Sequence, residues 1–167
     1  MSRRDFFVKW LAYTVAFFVG WFFVGGIFSR IPIAGCVPTL IPAAVAIVAV
    51  LEGSTGGAIF GLCLGLLGCL SGWAGASLIL CATLIGMFAG CLQERPRRSE
   101  APVCLLSAVA AIVGTELVQL LLHRLAGQGS WLAVSRIALG EGLYSIVLAV
   151  PAYFLFYFVY RRFGSGK

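Results

Sequence analysis

An all-α integral membrane protein of about six transmembrane helices is the fold class that the sequence predicts, on three observations. Of its 167 residues, 61% are hydrophobic and 11% are charged, with a mean hydropathy of +1.04. An ordinary aqueous core requires no such apolar excess. Apolar runs approaching the roughly 20 residues that cross about 30 Å of hydrocarbon follow one another almost without remainder. Basic residues gather at alternate run ends, as expected where cytoplasmic loops collect positive charge.

The first span runs from Phe7 to Phe28. It exceeds the roughly 7 to 15 residues of a signal core and no convincing small-x-small site follows, so it reads as a retained helix. The second, Pro38 to Leu51, is interrupted by Pro32, Pro38 and Pro42. Proline removes an amide donor and clashes with the preceding turn, so this segment should enter irregularly and turn helical only after Pro42. A five-span count would drop this segment alone. The third span, Thr55 to Leu70, has Ser54 and Thr55 as candidate caps. Gly72 to Gly75 should turn tightly into the fourth, Trp73 to Leu92. The fifth is Pro102 to Leu122 and the sixth Leu132 to Tyr160. The longest stretch suited to water is Gln93 to Ala101, so residues 1–167 read as one transmembrane domain with no soluble catalytic module.

Charge placement favours six crossings. Arg3, Arg4, Lys9, Arg95, Arg97, Arg98, Arg161, Arg162 and Lys167 then share one side, leaving Arg30, Arg124 and Arg136 on the other. That places both termini in the cytoplasm. The net charge of +6 is spread over short segments at membrane boundaries. It suits anionic lipid, with Arg95, Arg97 and Arg98 as a cytoplasmic basic loop. No groove-reading motif for nucleic acid accompanies it.

Gly53, Gly57, Gly61 and Gly65 stand four residues apart, continued by Gly68 and Gly72. Each step of four advances only about 40° around a helix, so these glycines stay on one side. In hydrocarbon, small residues let backbones approach and supply the packing energy. Ala12, Ala16 and Gly20 form a similar set on the first span, and Gly86 and Gly90 a pair on the fourth. Each surface suits either a helix of this chain or one of another protein.

Intramembrane polar residues are expensive and normally face an interior, a cavity or a partner. Glu116, Gln119 and His123 share one face of the fifth span. Arg136 and Glu141, in the sixth, lie about 140° apart around the helix and should each find a partner elsewhere. Three readings stay open for this set: structural hydrogen bonding, a ligand cavity open to the outside, or contact with another transmembrane protein.

Six cysteines without a CxxC pair, and a single histidine, do not make a metal site. Neither HExxH nor GxSxG occurs. Ser71 and His123 make no motif together. The reading is non-enzymatic, with no cofactor.

The stretch LEGSTGGAIFGLCLGLLGCLSGWAGASLILCATLIGMFAGCLQER, Leu51 to Arg95, and the closing LYSIVLAVPAYFLFYFVYRRF, Leu143 to Phe163, resemble the MreD family of bacterial rod shape-determining membrane proteins. A glycine-stepped helix, a turn and a second helix ending in basic residues follow the family's order. The last helix has a polar residue after a tyrosine, then proline, aromatics and an arginine pair. Two departures stand out: Cys69 where many members have aspartate, and Ser145 where asparagine is frequent.

The resemblance implies a non-enzymatic scaffold of the cell-elongation complex in the bacterial cytoplasmic membrane, organising peptidoglycan synthesis. Its implied partners are MreC, the MreB filament and the wall-synthesis glycosyltransferase and transpeptidase. The family's architecture is similar to the S-components of energy-coupling-factor vitamin transporters, which supplies the alternative: a substrate-binding S-component. There Ala12, Ala16 and Gly20 would dock the energising module, and Gly127 to Trp131 would be all that remains of a ligand lid. Ser145 keeps the hydrogen-bonding ability of asparagine in a smaller group and joins the intramembrane polar set.

Overall fold

The computed structural model describes residues 3–27, 39–71, 75–91, 100–127 and 131–163. These residues form six α-helices: α1 (Arg3–Ile27), α2 (Ile41–Glu52), α3 (Ser54–Leu70), α4 (Ser77–Cys91), α5 (Glu100–Leu125) and α6 (Trp131–Phe163). The all-α class therefore holds for the described chain. The irregular entry expected over Pro32 and Pro38 and the turn expected at Gly72 lie outside the described residues. So do Arg30, Arg95, Arg97, Arg98 and Lys167.

The architecture is a central post with a wall around it. Every side chain of α2 from Ile41 to Leu51 is buried. A helix that is apolar on all faces has to be enclosed, and α3, α4, α5 and α6 all pack on this one. Pro42 sits in its first turn, where the missing amide would have had no intrahelical acceptor. α1 stands outside this ring and lies along α6.

Two helices among the described residues, Ala101–Leu125 and Ser135–Arg162, are long and apolar enough to cross a membrane. Helices α2, α3 and α4 are shorter. At 12, 17 and 15 residues, α2, α3 and α4 rise about 18, 26 and 23 Å. Six full-length crossings, as the sequence suggested, are therefore not what the helix lengths give. The fourth helix starts at Ser77, after a turn in which the amides of Leu78 and Ile79 donate to the carbonyls of Gly75 and Ala76, and the expected start at Trp73 lies outside the described residues.

α2 reverses into α3 at one residue. Gly53 has φ 95°, a left-handed conformation that glycine adopts without a Cβ penalty. Its amide donates to Ala49 O at 2.8 Å, and its own carbonyl accepts from Gly57 at 2.9 Å. The capping expected from Ser54 and Thr55 does not occur: Gly53 is the cap residue, and no side-chain cap bond forms. The reversal is too tight to leave a side-chain oxygen ahead of the first turn. α5 ends similarly, with Gly127 at φ 66° and its amide on Arg124 O at 3.2 Å. Pro151 lies inside α6 on its exposed side, where the lost amide bond falls outside the core.

The outer surface is apolar. Leu70, Phe22, Leu125, Phe7, Leu106 and Phe158 expose 83, 78, 76, 71, 70 and 69% of their surface. Comparable residues stud α1, α3, α4, α5 and α6, and α2 alone contributes none.

Candidate functional site

The glycine ladder is consumed inside the chain. Gly57, Gly61, Gly65 and Gly68 are buried, wedged between α4 and α2. A Cβ on Gly57 would stand 2.6 Å from the Gly86 carbonyl oxygen, and one on Gly65 would stand 2.7 Å from the Ile79 Cα. On Gly61 it would strike the Ala82 carbonyl; on Gly86, the Gly57 carbonyl; on Gly90, the backbone of Ser54. This mutual backbone contact is the close approach that small residues permit, and α3 and α4 form the most extensive helix pair. Gly53 belongs to the turn rather than to this face. On α1, Ala16 is buried and Ala12 packs against the core. Gly20 faces Leu40 and Leu155, so this set too looks inward.

A polar cluster that sequence reasoning did not assemble ties three helices together. Lys9 Nζ of α1 donates to Glu52 Oε2 at the end of α2, and the two form an ion pair. Tyr13 Oη donates to the other carboxylate oxygen, Oε1, at 2.7 Å. Lys9 Nζ lies 6.0 Å from the centre of the Tyr160 ring of α6, within reach of the ring's negative face. Trp10, Tyr13, Phe60 and Phe156 close around the cluster, with ring centres 5.9 to 6.5 Å apart. The side chains of Lys9 and Glu52 are only 10 and 11% exposed. Sequence reasoning counted Lys9 among the free cytoplasmic charges and passed over Glu52. The available signal was that Glu52 is the only acidic residue between Asp5 and Glu94 and adjoins an apolar run on the side assigned to Lys9.

The second polar group lies at the opposite end of α2. Ser145, 1% exposed, accepts the Thr39 amide at 3.0 Å and donates to Glu141 O at 2.7 Å. The last helix thus satisfies the backbone where the chain enters the post. Glu116 of α5 is half-buried beside α6, its Cγ 3.7 Å from where a Cβ on Gly142, the residue next to Glu141, would stand. The two acidic residues are therefore neighbours across the α5–α6 seam. The rest of the expected set is not gathered here. His123 Nδ1 meets Gln119 O of its own helix at 2.9 Å, and His123 and Arg136 are exposed. Ser71 donates to Leu67 O of α3 at 2.7 Å.

Between α4 and α5, which touch only lightly, runs an apolar groove of about 400 Å³ lined by Leu84, Phe88, Ala110, Ala111, Gly114 and Val118. The hydroxyls bordering it are already used: Ser107 donates to Cys104 O at 2.8 Å and Thr115 to Ala111 O at 2.9 Å. Among the described residues no buried side-chain nitrogen or oxygen lacks a hydrogen-bond partner, and no group of His, Cys, Asp and Glu has the arrangement to hold a metal.

Neither a family model, nor a curated protein, nor a solved structure matches this chain.

Proposed function

We propose that this chain is a non-enzymatic integral membrane scaffold, acting in the bacterial cytoplasmic membrane as an MreD-like member of the cell-elongation complex. One observation carries the membrane part of this reading. Large apolar side chains cover the outside of every helix except α2, and the chain buries α2 from Ile41 to Leu51. Exposed apolar surface on this scale in a monomer marks contact with lipid or protein. Enclosure also removes the length requirement on α2, since a helix shielded by its neighbours need not match the hydrocarbon thickness. Short flanking helices such as α3 and α4 are accommodated by local thinning of the bilayer, at a fraction of a kcal/mol per Å.

The scaffold part rests on the resemblance carried by Leu51–Arg95 and Leu143–Phe163, together with the way the interior is used. Glycine faces are filled by α2 and α4, and the Lys9, Glu52 and Ser145 side chains satisfy one another or nearby backbone. Partner contact then falls to outward apolar surfaces, such as Phe7, Leu11, Val15, Phe18 and Phe22 on α1. The partners proposed are MreC, MreB and the wall-synthesis glycosyltransferase and transpeptidase, with both termini cytoplasmic. Purification in mild detergent, followed by native mass spectrometry, tests this. MreC should travel with the chain, and depletion should round the cells. A bound vitamin-sized molecule together with normal cell shape would overturn the scaffold reading in favour of an S-component.

A further inference from the structure

We propose that Lys9, Tyr13 and Glu52 form a latch that decides whether α1 is docked on the bundle. The inference goes beyond the scaffold reading and does not depend on it. Among the described side chains of α1, the buried ones are Lys9, Tyr13, Ala16 and Phe17. Their spacing of four, three and one makes a single stripe about 100° wide along the helix. Half of that stripe is polar, and both polar members donate to one carboxylate.

That arrangement makes docking close to all-or-none. With α1 in place, the two Glu52 oxygens each hold a donor, and the Lys9 ammonium faces the Tyr160 ring. With α1 displaced, Glu52 at the α2–α3 turn loses both donors. A buried charge deprived of its partner is strongly unfavourable. The rest of the α1 seam is apolar, with the Trp10 and Tyr13 rings against Phe60 and Phe156, Ala16 and Phe17 in the core and Gly20 against Leu40 and Leu155, while the opposite face of α1 is exposed from Phe7 to Phe23. α2, by contrast, is enclosed by four helices and has no route to local release. The latch therefore confines opening to α1, leaving the rest of the bundle as a fixed body.

Hydrogen exchange on the full-length protein in nanodiscs, read separately for α1 and α2, tests this. Lys9→Met should raise exchange of α1 amides by more than about tenfold and leave α2 amides at the wild-type rate. Tyr13→Phe should raise α1 exchange to a smaller extent. The charge-swapped Lys9→Glu/Glu52→Lys protein should return α1 toward wild-type protection. If Lys9→Met yields no folded protein, Tyr13→Phe carries the test, because it removes one hydroxyl and leaves the ion pair. The latch is overturned if α1 and α2 accelerate together in Tyr13→Phe. It is equally overturned if α1 stays at wild-type protection in the folded single variants, or if the swap leaves α1 as labile as Lys9→Met.

Discussion

Gly57 of α3 and Gly86 of α4 touch backbone to backbone: a Cβ on Gly57 would stand 2.6 Å from the Gly86 carbonyl oxygen. Real Cβ atoms do not approach that closely, and the obstacle is main chain rather than a side chain that can swing aside. Gly57→Ala or Gly61→Ala must therefore push α3 off its neighbours. Overpacking of a tight core costs about 1–3 kcal/mol, and the displaced pair here is the most extensive in the fold. Thermal unfolding in detergent should show both variants losing stability, with Leu at either site preventing folding.

Gly114 supplies the control from the same residue type. A Cβ there would meet nothing within 4 Å, because it borders the groove between α4 and α5. Alanine is the better helix former by up to about 1 kcal/mol. Gly114→Ala should therefore leave the unfolding temperature unchanged or raise it. A loss as large as that of Gly61→Ala would mean that α4 and α5 close together in the folded protein.

Ser145 holds the entry to α2. Its hydroxyl accepts the Thr39 amide and is itself 1% exposed, so no water stands ready to replace it. Ser145→Ala leaves that amide unsatisfied at a cost of about 1–3 kcal/mol. The same unfolding assay should register this loss. Glu141→Ala should not reproduce it, because the bond that Ser145 gives to residue 141 is to the backbone carbonyl.

The ion pair between α1 and α2 should show strong non-additivity. Removing one member leaves a charge with 10 or 11% exposure uncompensated, whereas removing both leaves a neutral contact. The double variant Lys9→Met/Glu52→Gln should therefore lose less stability than the sum of its two single variants, by about 0.5–3 kcal/mol. Additive losses would mean that the two side chains do not interact in the folded state.

The order and rough limits of the helices were legible because apolar run length and proline and glycine punctuation act locally. The glycine face was legible for the same reason: spacing fixes which side of a helix a residue occupies. What lies against that face depends on how helices are arranged around one another, which periodicity does not encode, so α2 as the enclosed post went unread. Lys9 and Glu52 stand 43 residues apart, and each alone looks like an ordinary boundary charge. Glu116 attracted notice because it interrupts an apolar run, yet its neighbour across the seam, Glu141, was no more specified than any other acid. Ser54 and Thr55 had the right chemistry for a cap, but Gly53 turned the chain before they could act.

Cysteine accessibility separates a lipid-covered surface from a wet one. Cys63 is exposed on α3 and Cys91 at the end of α4, whereas Cys104 is fully buried on α5. The attacking species in maleimide chemistry is the thiolate, which forms at an aqueous boundary and is suppressed in hydrocarbon. Cys63 is flanked by outward-facing Ile59, Leu62, Leu66 and Leu67, so in a bilayer its thiol should resist a charged, membrane-impermeant maleimide. Cys91, the last residue of α4, should react first, and Cys104 only after unfolding. The readout is the mass of each cysteine peptide from single-cysteine variants in proteoliposomes, compared with the same variants denatured. Rapid modification of Cys63 in intact vesicles would place this face in water, and the apolar outer surface would then need a protein, rather than lipid, to cover it.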